Sequence, residues 1–187
     1  MDARLIPFKN KFREEIAVFM QRFLSEVKNE KVFAIAFVTD DFFETLYCVL
    51  NTEEKFQQYL IDHPDYARYK GQKWAANEWG YGDNNLEDSP FGSFYEILRK
   101  LSQELDLPYN MHDERKQKFI KAFIEAIAEG VLSIPDKVFT ENNQIRENII
   151  FFVSISDNNY TETLEDESAK LMNNKDIYNN FLTRYDK

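Results

Sequence analysis

Three short stretches hold the residues that could carry chemistry in this chain. In KWAANEWGYGDNN, residues 73–85, Glu78 precedes Trp79, and Tyr81 and Asp83 follow between and after two glycines. Asp40 and Asp41 form an acidic pair between two apolar runs, and Ser154, Ser156 and Asp157 close the run NIIFFVSISD. Carboxylates in a pocket can move protons or hold a hard cation. A serine becomes a nucleophile only beside a base, and neither Ser154 nor Ser156 sits in a GxSxG elbow or has an evident histidine partner. Both are read first as polar residues ending a strand. Asp40, Asp41 and Asp83 are read first as turn residues.

Metal chemistry has little to work with. The two histidines, His63 before Pro64 and His112 before Asp113, occupy ordinary loop positions, and no HExxH, paired-cysteine or EF-hand pattern occurs. No metal ligand and no cofactor is assigned. Cys48 lies in the apolar run TLYCVL, where a free thiol serves as a small core hydrophobe. GYGDNN lacks the Lys-Ser/Thr that would follow in a phosphate loop.

The tryptophan stretch admits two readings. Tryptophan and tyrosine supply large contact area at low entropic cost, the chemistry of a binding hot spot. Alternatively the indoles plug the core while Glu78 accepts hydrogen bonds that fix the loop. The two readings combine if Trp74 is buried against the sheet and Trp79 sits at the rim of a groove with Tyr81, so Trp79, Glu78, Tyr81, Asp83, Asp40 and Asp41 form the candidate partner surface. Ser154, Ser156 and Asp157 form an alternative pocket, with Glu78 and Asp157 as its carboxylates.

Net charge is −10 over 187 residues, and residues 32–66 carry seven acids against one lysine. Such a surface repels nucleic acid phosphate and anionic lipid and suits a basic protein partner. No basic and apolar leader opens the chain, and no apolar run approaches the ~18 residues of a membrane span. With one cysteine, a cytoplasmic setting is expected.

These residues need elements to position them. Phe12, Ile16, Phe19, Met20, Phe23 and Val27 recur at helical spacing over residues 8–29. Runs at 31–39 and 44–50 have the length and β-branched composition of a hairpin, and 149–155 reads as a central strand covered on both faces. A short strand is expected at 67–74. Helices are expected at 53–62 behind Asn51 or Thr52, after Ser89 and Pro90, from Asp113 to Gly130, and at about 160–172 and 175–185. Together these make a single α+β domain over residues 1–187, with a roughly four-stranded, mostly antiparallel sheet and about six helices.

Three stretches, VFAIAFVTDDFFETLYCVLNTEEKF, KWAANEWGYG and IIFFVSISDNNYTETLEDESAKLMN, together resemble a bacterial family, domain of unknown function 4303. Where that family commonly places Ser-Pro between the two tryptophans, this chain has Ala75 and Ala76. The resemblance implies no reaction. Small acidic domains of this kind suggest immunity proteins, which neutralise a toxin by binding it. The expectation is therefore a non-enzymatic protein-binding module, with a small carboxylate-using enzyme or ligand-binding protein as the alternative.

Overall fold

The computed structural model describes residues 3–83, 89–156 and 158–185. Strands β1 (Val32–Thr39), β2 (Leu46–Thr52), β3 (Tyr81–Gly82) and β4 (Ile150–Ile155) form one sheet in the order β3-β2-β1-β4. β1 pairs antiparallel with β2 and parallel with β4, and β3 adds antiparallel to β2. Seven α-helices pack with it among the described residues. They are α1 (Ile6–Ser25), α2 (Glu53–Asp62), α3 (Phe91–Leu105), α4 (Glu114–Leu132), α5 (Asp136–Thr140), α6 (Thr161–Met172) and α7 (Lys175–Leu182). The fold is α+β, with a mixed sheet in which antiparallel pairs dominate.

Strand alternation divides the core in two. Ile35, Phe37, Cys48, Leu50, Phe151 and Val153 face the larger layer, built from α1, α3 and α4. There Phe8 stacks on Phe123 at 5.5 Å and Phe12 meets Phe37 edge-on at 5.5 Å. Ala36, Val38, Val49 and Phe152 face the smaller layer, covered by Trp79 and Phe181. All eight residues of β1 are buried, because β1 has a strand on each side and helices or aromatic rings over each face.

β4 is not the central strand that its apolar run suggests; it lies at an edge. Its burial comes from α6, which closes the open side. Asn173 presents Oδ1 to the Phe151 N–H (2.9 Å) and Nδ2 to the Phe151 carbonyl (2.7 Å), and Ser168 Oγ accepts from the Val153 N–H (2.8 Å). Side chains thus replace the missing strand, which satisfies the backbone and blocks edge-to-edge pairing.

The hairpin turn works without glycine because Asp40 organises it. Its carboxylate accepts from the N–H groups of Phe42, Glu44 and Thr45 at 2.8, 3.2 and 2.9 Å. Phe43 adopts a left-handed φ of 57° and is fully buried against Phe119 and Phe123, so packing offsets the backbone strain.

Thr52 caps α2 by accepting from the Lys55 N–H, and Asp113 caps α4 by accepting from the Arg115 N–H. α3 starts one residue later than its Ser-Pro signal, with Pro90 at the cap. α4 runs past Gly130 to Leu132, since that glycine serves close approach and not termination. A Cβ there would lie 2.4 Å from Phe12 Cδ1.

Candidate functional site

The segment after α2 is three short 3-10 turns, Pro64–Arg68, Lys70–Trp74 and Ala76–Glu78, so the strand expected at 67–74 is absent. Its N–H groups are spent locally: Gln72 donates to the Tyr69 carbonyl, Ala75 to Gln72 and Glu78 to Ala75. Only Tyr81 and Gly82 reach the edge of β2. Arg, Lys and Gln interrupt this stretch, and it offers no alternating apolar face to hold a strand on the sheet.

Burial of the two tryptophans is the reverse of what was expected, although Trp79 does border a groove. Trp79 is buried at 9% exposure and meets Phe33 and Phe152 edge-on at 6.2 and 5.8 Å, with Nε1–H donating to the Lys73 carbonyl at 3.2 Å. Trp74 is half-buried between Phe33 and Phe181. The reason lies in the turns. They fold Trp74 back over the sheet margin near α7, and the chain then re-enters the sheet just after Trp79.

Glu78 is exposed, and its carboxylate makes no hydrogen bond or ion pair among the described residues. Of the two roles expected for it, orienting a backbone N–H or meeting a ligand donor, the first is not taken up among the described residues. It lines a groove of about 160 Å³ between α2 and the loop, together with Phe56, Tyr59, Asp62, Gln72 and one side of Trp79. Partial desolvation raises the Tyr59 phenol, and the nearby Tyr66 and Glu78 add to the effect.

Other expected partner residues sit elsewhere. Tyr81 donates its hydroxyl to Glu30 at 2.6 Å and carries the Lys55 ammonium over its ring at 5.5 Å; desolvation and Glu30 push its phenol up to about 12. Asp83 is buried, accepting from the Cys48 N–H (3.2 Å) and the Ser89 hydroxyl (2.8 Å), so it fastens the loop instead of facing a partner. The Asp40 carboxylate is occupied by its turn. Asp41 accepts from Asn158 Nδ2 at 2.5 Å, and its carbonyl accepts from the buried Lys116 ammonium at 2.6 Å.

The serines of the alternative pocket separate as well. Ser154 is buried and donates Oγ–H to Glu165 Oε1 at 2.8 Å. Glu165 Oε2 in turn accepts from Arg184 and from the Tyr185 hydroxyl (3.1 Å). Burial raises the Glu165 carboxyl, against the hydrogen bond from Ser154 and the charge of Arg184. Each oxygen of this carboxylate is committed, so the cluster fastens the C-terminal turn to α6 and β4 and does not activate Ser154. Ser156 is half-buried, its N–H donating to the Thr39 carbonyl, and Asp157 lies outside the described residues. A cavity of about 310 Å³ opens beside Ser154 and Tyr185. Glu78 lines the α2 groove and is not among the residues around that cavity.

Sequence reasoning missed an aromatic array beside Glu78. Tyr59 stacks on His63 at 4.5 Å, Tyr66 lies 5.9 Å from Tyr59 and 6.0 Å from His63, and Tyr69 lies 6.4 Å from Tyr66. Neither α2 nor the Pro64–Arg68 turn contributes a buried residue, and Ile61 and Tyr69 are 72% and 56% exposed. The signal was present in the spacing of Tyr59, His63, Tyr66 and Tyr69 at intervals of three and four residues.

No curated protein and no solved structure matches the chain. The sequence profile of one family, described as domain of unknown function (DUF4303), matches residues 13–174. That span includes the hairpin, the tryptophan loop, β4 and α6, and it shows that the chain belongs to this family.

Proposed function

We propose that this chain is a non-enzymatic protein-binding module of the immunity type, which neutralises a basic partner by occluding it. The observation that carries the reading is the array over residues 59–69. Large aromatic and aliphatic groups stand in solvent there on a short helix and tight turns, with no buried residue among them. Tyrosine-rich, locally ordered surfaces are where binding energy concentrates. Asp62 and Glu78 line the groove beside Tyr59, and Asp65 shares a turn with Tyr66. Against these three acids stands Arg68, whose guanidinium lies 5.2 Å from the Tyr69 ring centroid, and the excess of acid suits a basic partner. Asp40 and Asp41 contribute field and not contact, since their carboxylates are engaged within the chain. A cytoplasmic location fits the free, buried thiol of Cys48.

The test is co-expression with the product of the neighbouring gene, followed by size-exclusion chromatography and titration. A stable complex weakened by about tenfold or more in Tyr66→Ala/Tyr69→Ala is expected, as for hot-spot truncation. A complex indifferent to both tyrosines overturns this placement of the surface. Failure to bind, with a turnover of a small molecule instead, overturns the class.

A further inference from the structure

We infer that the groove between α2 and the Trp79 loop receives an arginine side chain of the partner, a specification that rests on the protein-binding reading above. Three observations lead there. The groove is small, about 160 Å³, and is walled by the aromatic rings of Phe56, Tyr59 and Trp79. It carries two exposed carboxylates: Asp62, whose Oδ1 accepts from Gln58 Nε2 at 3.0 Å and whose Oδ2 makes no hydrogen bond among the described residues, and Glu78, which has no hydrogen bond or ion pair among them. Lys55, the cation among its lining residues, lays its stem along Gly80 and places its ammonium over the Tyr81 ring, so it does not neutralise the pair directly.

The protein solves the same problem twice within itself. Lys73 lies 4.2 Å from the Phe33 ring centroid and donates to Glu53 at 2.9 Å. Arg184 lies 4.0 and 4.6 Å from the Phe181 and Tyr185 ring centroids and bonds Glu165 and Asp166. Each site holds a cation on an aromatic face and closes it with carboxylate. The groove offers these ingredients, and among the described residues no lysine or arginine lies over Tyr59, one face of which is taken by His63 at 4.5 Å. Among cations, a guanidinium stacks on aromatic faces, is more weakly hydrated than an ammonium and can donate to two carboxylates at once. That combination selects arginine over lysine.

The experiment needs no identified partner. Nα-acetyl-arginine methylamide is titrated into the isotope-labelled protein, and the Trp79 indole N–H and Gly80 amide resonances are followed. The neutral citrulline analogue and the lysine analogue serve as comparisons. The expected result is saturable movement with arginine, about tenfold weaker binding of citrulline, and a similar loss in Asp62→Asn/Glu78→Gln. Both substituted residues are exposed and nearly isosteric, so folding is preserved. Equal binding of citrulline, or indifference to the double substitution, overturns the inference; equal binding of lysine overturns the choice of arginine. The outcome is separable from the partner test. A complex that depends on Tyr66 and Tyr69 can stand while the groove ignores arginine, and the groove can bind arginine while no such complex forms.

Discussion

The Glu165 carboxylate and the Arg184 guanidinium form an ion pair closed to solvent, with Nε and Nη2 donating to the same Oε2 at 3.2 and 3.1 Å. Arg184 also bonds Asp166, and its guanidinium Cζ lies 4.0 Å from the Phe181 ring centroid. A pair in this position links α6, α7 and the end of β4.

Breaking that pair from one side strands a buried charge. Arg184→Ala should destabilise the protein by about 3–5 kcal/mol, whereas replacing both partners with apolar residues of similar volume, as in Glu165→Leu/Arg184→Met, should cost far less. Denaturant unfolding of the two variants decides it. Equal losses would show that packing of the arginine stem, not its charge, holds the C-terminal turn.

Asp83 gives a pH dependence of determinate sign. Burial raises its carboxyl above the ordinary 3.8, with hydrogen bonds from Ser89 and the Cys48 N–H pulling the other way. The native state therefore holds this proton longer than the unfolded chain does, so the contribution is fully present below 3.8 and is lost as pH rises through the raised value. Asp83→Asn keeps the acceptor for Cys48 and removes the titration. Urea midpoints taken from acid to neutral pH should shift progressively in favour of the Asn variant. A gap that stays constant, or that moves toward Asp83, refutes this account.

Gly130 should invert the usual rule for helical glycine. Gly→Ala in an exposed helix stabilises by up to ~1 kcal/mol. At Gly130 a methyl group would meet Phe12 Cδ1 at 2.4 Å and force α1 from α4, at a cost of about 1–3 kcal/mol. At Gly92, where nothing lies within 4 Å, the same change should be neutral or stabilising. Thermal unfolding of the two single variants provides the comparison, and a stabilising Gly130→Ala would mean that the helices yield freely.

Much of the architecture was legible in local pattern. Helical spacing of Phe12, Ile16, Phe19 and Phe23 located α1, the Thr52 cap and first-turn acids located α2, and two β-branched runs located the hairpin. These signals are local because each element's period and caps lie within its own residues. The Asp40 turn was legible too, although its bond to Thr45 shows why glycine is not required.

What only the tertiary structure decided involves partners distant in sequence. β4 reads as a central strand, and only the placement of Ser168 and Asn173 beside it shows an edge sealed by side chains. Trp74 and Trp79 are equivalent in composition, and the return of the chain to β2 at Tyr81 determines which indole is buried. Arg184 and Glu165 are 19 residues apart, and no local pattern marks them as a pair. The aromatic array from Tyr59 to Tyr69 was visible as letters, but apolar letters most often mean core. Exposure is a property of what packs against them, and that is determined by the whole fold.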